Sequence, residues 1–216
     1  ITRVEGVKSA YATIGIMKDS DATMTIGTPP MITAADVAIN KDETFELKYK
    51  DGRAITAEDR NVAVLGSDLA NTDHKHVGDT ITLKGREFTV VGILKKTLTA
   101  PDNSVSIALA DAQELYFNDI PVAVRAGIKA SQIANGITVF VKDGFNADQV
   151  TEKINQQVGD VKAFAPDEFK KTIKNSMAIF NVIILGSALV AVLVGGFLII
   201  NTMSMAIIER TKEIGI

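Results

Sequence analysis

The sequence predicts an α+β domain of about 165 residues, followed by one long helix that crosses a membrane. The helix is predicted because the 34 residues between Lys174 and Glu209 include no charged residue. About 20 apolar residues suffice for a helix to span a bilayer. The domain is predicted from alternating apolar residues at 80–93, typical of a β-hairpin, and from a strand-helix-strand pattern at 137–164.

The first fifty residues carry weaker signals than the rest of the domain. Residues 1–7 have apolar spacing that suits the last turns of a helix closed at Gly6 or just beyond, and Ala10 to Ile16 resembles a strand. Glycine and a proline pair make residues 17–35 an expected irregular connection. The alternation at 45–49 fits a strand, but a short helix fits nearly as well, and both remain open.

The middle of the chain predicts buried strands. Val62 to Gly66 is a short apolar run of the kind found in sheet interiors. The hairpin has arms at 80–83 and 87–93, and the turn Lys84-Gly85-Arg86 joins them. Alternation on both arms specifies the register of the pair.

A strand and a short helix follow the hairpin. Val105 to Leu109 is predicted as the strand, and the spacing of Asp111 and Glu114 predicts a capping box that opens the helix. Residues 120–136 contain a proline and two glycines, which indicate an irregular connection.

The C-terminal part of the domain predicts a β-α-β unit. A strand at 137–141 leads to a helix capped by Asn146, and a second strand is expected at 161–164.

Pro166 then suits the first turn of a helix that runs unbroken to about residue 208. Such a helix is about 60 Å long, which leaves a stalk outside the membrane. The competing interpretation, a buried helix of a soluble core, is disfavoured because such helices are usually shorter and carry a polar face.

Composition and motifs exclude several classes of function. The net charge of −3 offers no basic surface for nucleic acid, and the absence of cysteine excludes disulfides and thiolate metal sites. The sequence has no phosphate-binding loop, no dinucleotide fingerprint and no G-x-S-x-G motif. We therefore nominate no catalytic residue and expect no cofactor.

Asp73-His74-Lys75-His76, with Asp79 nearby, is the only histidine cluster. Its two histidines lack a fixed third ligand, and Lys75 between them opposes a cation. We expect a polar loop there and no metal site.

Two features of the long helix are candidate functional sites. Small residues that allow close helix packing are expected at Gly186, Ser187, Gly195 and Gly196. From Ile208 the sequence changes abruptly to alternating charges, which suits a helix end that emerges into water and bends. Lys170, Lys171 and Lys174 on one side outnumber Arg210 and Lys212 on the other, so a count of positive charges mildly opposes placing the domain outside the cell.

The last 22 residues, GGFLIINTMSMAIIERTKEIGI, resemble the second transmembrane helix of MacB-type ABC-transporter permeases. VEGVKSA, DGRAITAEDRNVAVLG, VGDTITLKGREFTVVGIL and IALADAQELY resemble the extracytoplasmic domain of the same MacB/FtsX-like family, in order and spacing. The match covers most of the chain. It differs between Asp73 and Gly78, where the segment is short and polar, so the adaptor-binding insertions of some members are not carried over to this chain.

The resemblance implies a fold and a division into domains. Such permeases have four transmembrane helices, with a two-lobed domain between the first and second. The chain would be that domain plus the second helix, as a fragment of a longer protein. Residues 1–35 and 130–165 would form a membrane-proximal βαβ-type lobe, and 36–129 an inserted, mainly β lobe. Residues 166–208 would be stalk and transmembrane helix, and 209–216 the start of a cytoplasmic coupling segment.

The resemblance also implies a function and partners. The chain would be a non-catalytic permease subunit in the cell membrane, with residues 1–165 outside, working as a dimer with a second permease copy. ATP hydrolysis is expected in a cytoplasmic ABC ATPase, contacted through Glu209, Arg210, Thr211, Lys212, Glu213, Ile214 and Gly215. Movements of the outside domain would then export or extract peptides, antibiotics, lipoproteins or other amphiphiles, with an extracytoplasmic adaptor as a further partner. The alternative is an FtsX-like regulator that controls a cell-wall hydrolase or acts as a sensor.

Overall fold

A computed structural model describes residues 1–18, 29–125 and 127–215. In the C-terminal helix the side chains of residues 167–169, 172, 209 and 211–214 are not described. The strands are β1 (Val7–Met17), β2 (Met31–Ala35), β3 (Tyr49–Gly52), β4 (Val62–Leu65), β5 (Thr80–Leu83), β6 (Arg86–Leu94), β7 (Ser104–Ile107) and β8 (Gly136–Val141).

These strands form one mixed sheet in the order β3-β6-β4-β7-β2-β1-β8, with β5 paired to β6. Two neighbouring pairs, β2–β7 and β4–β6, are parallel, and the others are antiparallel. Helices accompany the sheet, so the predicted α+β class is confirmed.

The predicted hairpin at 80–93 is present as β5 and β6. Its two-residue turn places Lys84 at φ 49° and Gly85 at φ 80°. Positive φ at both positions defines the turn whose twist matches two antiparallel strands, and glycine adopts it without strain. Phe88 and Val90 on β6 alternate inward and are almost fully buried.

The helices are α1 (Ser67–Thr72), α2 (Leu109–Asp119), α3 (Val122–Arg125), α4 (Ala147–Gln157) and α5 (Pro166–Ile214). Short 3₁₀ helices cover Val37–Lys41, Ala100–Asn103 and Ala130–Gln132. The predicted cap of α4 is confirmed, since the side chain of Asn146 accepts a hydrogen bond from the backbone N–H of Asp148 at 2.8 Å.

The hydrophobic core lies on one face of the sheet. Ile14 and Ile16 of β1 and Ile32 of β2 point into it, and α2 lies against these two strands. Successive side chains of a strand point to opposite faces. Thr13 and Gly15, which are only partly buried, therefore lie on the other face.

The predicted helix at the N-terminus is wrong. Residues 1–6 form turns, in which Val4 and Val7 donate backbone hydrogen bonds to the residues three positions earlier. Gly6 lies at φ 90°, outside helical backbone space. β1 then begins at Val7.

The expectation of an irregular segment at 17–35 is also wrong in part. Residues 31–35 form β2, which pairs antiparallel with β1, with Ile14 opposite Ala34. Residues 19–28 lie outside the described structure. Of the two alternatives at 45–49, neither forms at residues 45–48, and β3 begins at Tyr49.

The predicted capping box is wrong. α2 begins at Leu109 with Ala108 as its N-cap, three residues earlier than the pattern indicated, so Asp111 lies inside its first turn. The buried Asp111 carboxylate accepts hydrogen bonds from the Asn61 backbone N–H at 2.7 Å and from Arg86 Nη2 at 2.9 Å. Glu114 pairs with the same guanidinium at 2.6 Å. Contacts from distant residues thus outweigh the local pattern.

The strand expected at 161–164 does not form, so the β-α-β unit is absent from this described segment. The amide group of Asn155 holds the backbone of Ala163 instead. Ala163 N–H donates to Asn155 Oδ1 at 2.7 Å, and Asn155 Nδ2 donates to the Ala163 carbonyl at 3.1 Å. The segment is therefore held by a side chain of α4 rather than by a neighbouring strand.

Residues 1–145 and 146–216 form two compact units. Strands from both predicted lobes, 1–35 with 130–165 and 36–129, lie in the one sheet of the first unit. The division into two lobes at these boundaries stays a prediction.

Candidate functional site

α5 begins with Pro166 in its first turn, where the missing N–H of proline costs no helical hydrogen bond. The preceding Ala165 is buried. The helix continues for 49 residues to Ile214, which makes it about 74 Å long. The predicted helix from Pro166 is thus confirmed, and it extends beyond the expected end at residue 208.

The apolar part of α5 runs from Ile173 to Ile208, 36 residues with a mean hydropathy of 2.8 and no buried residue in its most apolar stretch. By length and composition this segment can cross a membrane. Upright it would measure about 54 Å, nearly twice the hydrocarbon thickness of about 30 Å. The helix must therefore tilt, or part of it must lie beyond the acyl chains.

Two hydroxyl groups inside this span are satisfied locally. Ser187 Oγ donates to the Ile184 carbonyl at 2.8 Å, and Thr202 Oγ1 donates to the Leu198 carbonyl at 2.8 Å. Such bonds back to the preceding turn let hydroxyl side chains lie in an apolar medium without an unmet donor.

The predicted packing residues lie on two sides of α5. A helix turns about 100° per residue, so Gly186 and Gly195 point in opposite directions. Ser187 lies nearer Gly195, and Gly196 lies nearer Gly186. A Cβ atom added at any of the three glycines would meet no atom of the described chain within 4 Å. The four positions are thus spread around the helix, and that they pack against other helices stays a prediction, which requires contacts on more than one side of α5.

The junction between α4 and α5 is short and held in place. It covers residues 158–165. In addition to the Asn155–Ala163 pair, Lys162 Nζ lies 5.2 Å from the centre of the Phe164 ring. A connection held in this way moves with α4 and α5 more readily than a free linker.

The predicted coupling residues, Glu209 to Gly215, follow the apolar span. The backbone is helical to Ile214, so the expected bend does not occur within 209–214. Arg210 and Gly215 are exposed. The side chains of Glu209, Thr211, Lys212, Glu213 and Ile214 lie outside the described structure, and their contact with an ATPase stays a prediction.

The histidine loop shows no metal geometry in the part of the chain that is described. Asp73 pairs with Lys18 at 2.7 Å, and His76 Nδ1 lies 3.7 Å from Asp79 Oδ2. No group of three or more histidine, aspartate or glutamate side chains comes together among the described residues.

Sequence reasoning missed an electrostatic link between β1 and the first 3₁₀ helix. Asp42 accepts hydrogen bonds from the hydroxyl groups of Ser9 and Tyr11, the latter at 2.8 Å, and pairs with Lys8 at 2.9 Å. The bonds from Ser9, Lys8 and Tyr11 lower the pKa of Asp42 to about 2. The partners lie more than thirty residues from Asp42, so no local pattern could have indicated them.

The sequence matches the family model of the MacB-like periplasmic core domain over residues 1–157. The chain belongs to this family. The resemblance drawn from the motifs is thereby confirmed.

Two relatives in other organisms are named as permeases. An uncharacterized ABC transporter permease of Methanocaldococcus jannaschii is 29% identical over 188 residues, which are 82% of this chain and 44% of that protein. The macrolide export ATP-binding/permease protein MacB of Neisseria meningitidis is 29% identical over 184 residues, 79% of this chain and 27% of that protein. The chain thus spans less than half the length of either relative.

Among solved structures, the periplasmic region of MacB from Actinobacillus actinomycetemcomitans is similar, with 19% identity and a TM-score of 0.47. The match covers 81% of this chain and 79% of that one.

The family and the apolar span of α5 support the predicted localisation, a membrane protein whose folded domain is extracytoplasmic. This orientation holds although Lys170, Lys171 and Lys174 near the start of α5 outnumber Arg210 and Lys212 near its end. The Neisseria relative is named as ATP-binding and permease protein at once. That the ATPase of this MacB-like protein is a separate polypeptide stays a prediction.

Proposed function

We propose that the chain is part of an ABC-transporter permease in which cytoplasmic ATP hydrolysis moves the extracytoplasmic domain. The movement serves export or extraction of peptides, antibiotics, lipoproteins or other amphiphiles. The partners are a cytoplasmic ABC ATPase, a second copy of the permease and an extracytoplasmic adaptor or hydrolase. One relative named as an ABC transporter permease and another named as a macrolide export ATP-binding/permease protein support this class of function.

The observation that carries the proposal is the continuity of α5. One helix without an internal proline extends from the held α4–α5 junction through the apolar span to the charged segment at 209–215. Each turn of a helix is bonded to the next, so a displacement at one end is passed to the other. A flexible linker would instead absorb it.

The test replaces two charged residues near the C-terminal end of α5. In the complete transporter, Glu209→Ala with Glu213→Ala leaves ATP hydrolysis by the ATPase in place but lowers export about tenfold or more. The measurements are ATPase rate and substrate efflux from the same vesicles, with circular dichroism to confirm that the domain is folded. Glu87→Ala, which removes an exposed carboxylate on β6, serves as the control and leaves both rates unchanged.

If the double variant exported substrate at the full rate, the proposal that residues 209–215 couple ATP hydrolysis to export would be wrong. Loss of the gene separates the proposal from the FtsX-like alternative. Export predicts greater sensitivity to an amphiphile, whereas regulation of a cell-wall hydrolase predicts a division or wall defect without such sensitivity.

A further inference from the structure

The face of the sheet opposite the core carries a groove of about 530 Å³. Its volume falls in the range of about 300–1,000 Å³ that is usual for small-molecule sites. All the residues that line the groove belong to residues 1–145.

Small side chains leave the floor of this groove open. In the strand register Gly15 lies opposite Thr33, Thr33 opposite Ser106, and Ser106 opposite Val64, so one row crosses β1, β2, β7 and β4. The hydroxyl groups of Thr33 and Ser106 lie 3.2 Å apart and bond to each other. Their hydrogen-bonding capacity is thus partly satisfied. The small side chains at Gly15, Thr33 and Ser106 protrude little from the sheet.

Apolar side chains rise around the floor. Val37 and Ile39 come from the first 3₁₀ helix, Leu47 and Ile55 come from the chain on either side of β3, and Pro101 comes from the second 3₁₀ helix. Such walls favour an apolar ligand, because each CH₂ group that is buried removes apolar surface from water.

The charge at the rim is of one sign. Among the described residues that line the groove, the charged ones are Asp36 and Glu43, both exposed carboxylates, and none is lysine or arginine. Asp36 Oδ1 already accepts a hydrogen bond from the Ala38 N–H at 2.9 Å, which fixes the carboxylate in place. A bound cation would meet two negative groups, and a bound anion would be repelled.

We propose that this groove binds a cationic amphiphile. The apolar tail lies on the row from Gly15 to Val64 between the apolar walls, and the cationic group lies beside Asp36 and Glu43. As a step in export the binding rests on the proposed function, but the binding itself can be measured without transport.

The experiment uses the whole chain in zwitterionic lipid nanodiscs, with ¹³C-labelled methionine methyl groups. Met31 reports on the groove, since its Cε lies 3.5 Å from where a Cβ on Gly15 would be. Met203 and Met205 lie in the apolar span and report partitioning of the probe into lipid. Hexyltrimethylammonium is the probe, and hexyl sulfate is its anionic counterpart of equal tail length.

Saturable shifts of the Met31 signal are expected with the cation, with affinity rising about tenfold for the octyl homologue. Hexyl sulfate binds more weakly. Gly15→Val fills the floor and lowers the affinity at least tenfold. Asp36→Asn with Glu43→Gln keeps the cap on Ala38 and lowers the affinity about three- to tenfold, because exposed ion pairs are weak. Glu87→Gln, a matched loss of charge elsewhere on the domain, changes nothing.

An unchanged Met31 signal, or equal binding of the sulfate, overturns the proposal. So does full affinity in a folded groove-filling variant, which is Gly15→Val or, if that variant does not fold, Ser106→Leu. If the probe does not bind but the Glu209→Ala, Glu213→Ala double variant still loses export, the groove is not a binding site and the proposed permease function is retained.

Discussion

The same apolar residue types lie in opposite environments in the two units of this chain. In the sheet, Ile32 and Leu65 are 0% exposed and Phe88 is 1% exposed. In α5, Val182 is 71% and Phe197 is 72% exposed. The first unit buries its apolar surface against itself, whereas α5 requires lipid or other helices to cover it. Stability of the first unit is therefore encoded within its own sequence, and placement of α5 depends on what surrounds it.

The largest expected effect contrasts one phenylalanine from each unit. Phe88→Ala leaves a cavity in the core and costs about 3–5 kcal/mol of the free energy of unfolding. Phe197→Ala, the same change on an exposed site, costs the domain less than about 1 kcal/mol. Pulse proteolysis in urea, on the chain in lipid nanodiscs, measures both. Equal losses would place Phe197 in the same core as Phe88 and erase the contrast.

A smaller effect separates buried from exposed charge within the first unit. Asp111→Ala leaves the Asn61 N–H without its buried acceptor and costs about 1–3 kcal/mol. Glu114→Ala removes the other carboxylate on Arg86, but its side chain is 58% exposed, so the expected loss is up to about 1 kcal/mol. Urea midpoints of the two variants give the order. A larger loss for Glu114 would show that the surface pair, rather than the buried one, holds β6 to α2.

The smallest effect appears only in acid. The pKa of Asp42 falls from 3.8 to about 2 on folding, because Ser9, Lys8 and Tyr11 bond to the carboxylate. Its contribution to stability is present above the unfolded pKa and is lost as the pH falls from about 4 to about 2. Asp42→Asn should therefore flatten part of the decline of the melting temperature over this window.

Part of the slope remains in that variant, since Arg53 also lowers the pKa of Asp59. Glu87→Gln is the matched control and keeps the slope of the parent protein. An identical slope in Asp42→Asn would mean that the bonds to Ser9 and Tyr11 do not persist in solution.

Elements specified by local pattern were predictable from the sequence. The hairpin at 80–93 combines alternation with a Lys-Gly turn, and both act within a few residues. The cap at Asn146 and the start of α5 at Pro166 are local in the same way. The uncharged stretch after Lys174 is long enough that only a membrane or a very large core could accommodate it.

Elements specified by distant contacts were not predictable. β2 follows a proline pair and becomes a strand because β1 and β7 lie on either side of it. Asp111 does not cap α2 as expected, because its carboxylate bonds to Arg86, which lies 25 residues earlier in the chain. Residues 161–164 are held by the side chain of Asn155 in place of a strand.

The groove could not be predicted for the same reason. Its floor joins Gly15 to Val64 through β2 and β7, and β2 and β7 become neighbours only in the folded sheet, about seventy residues apart in the chain. Neither Gly15 nor Val64 belongs to a local sequence pattern that would indicate a groove. The coupling segment differs, because its family motif is local, although the motif leaves its contacts untested.

The length of α5 has a mechanical consequence. A rigid rod of about 74 Å that pivots by about 10° at one end carries its other end sideways by about 13 Å. A modest rocking at the cytoplasmic surface would thus be magnified into a stroke several side chains wide. In the proposed mechanism, that leverage would come from the uninterrupted backbone hydrogen bonds of α5.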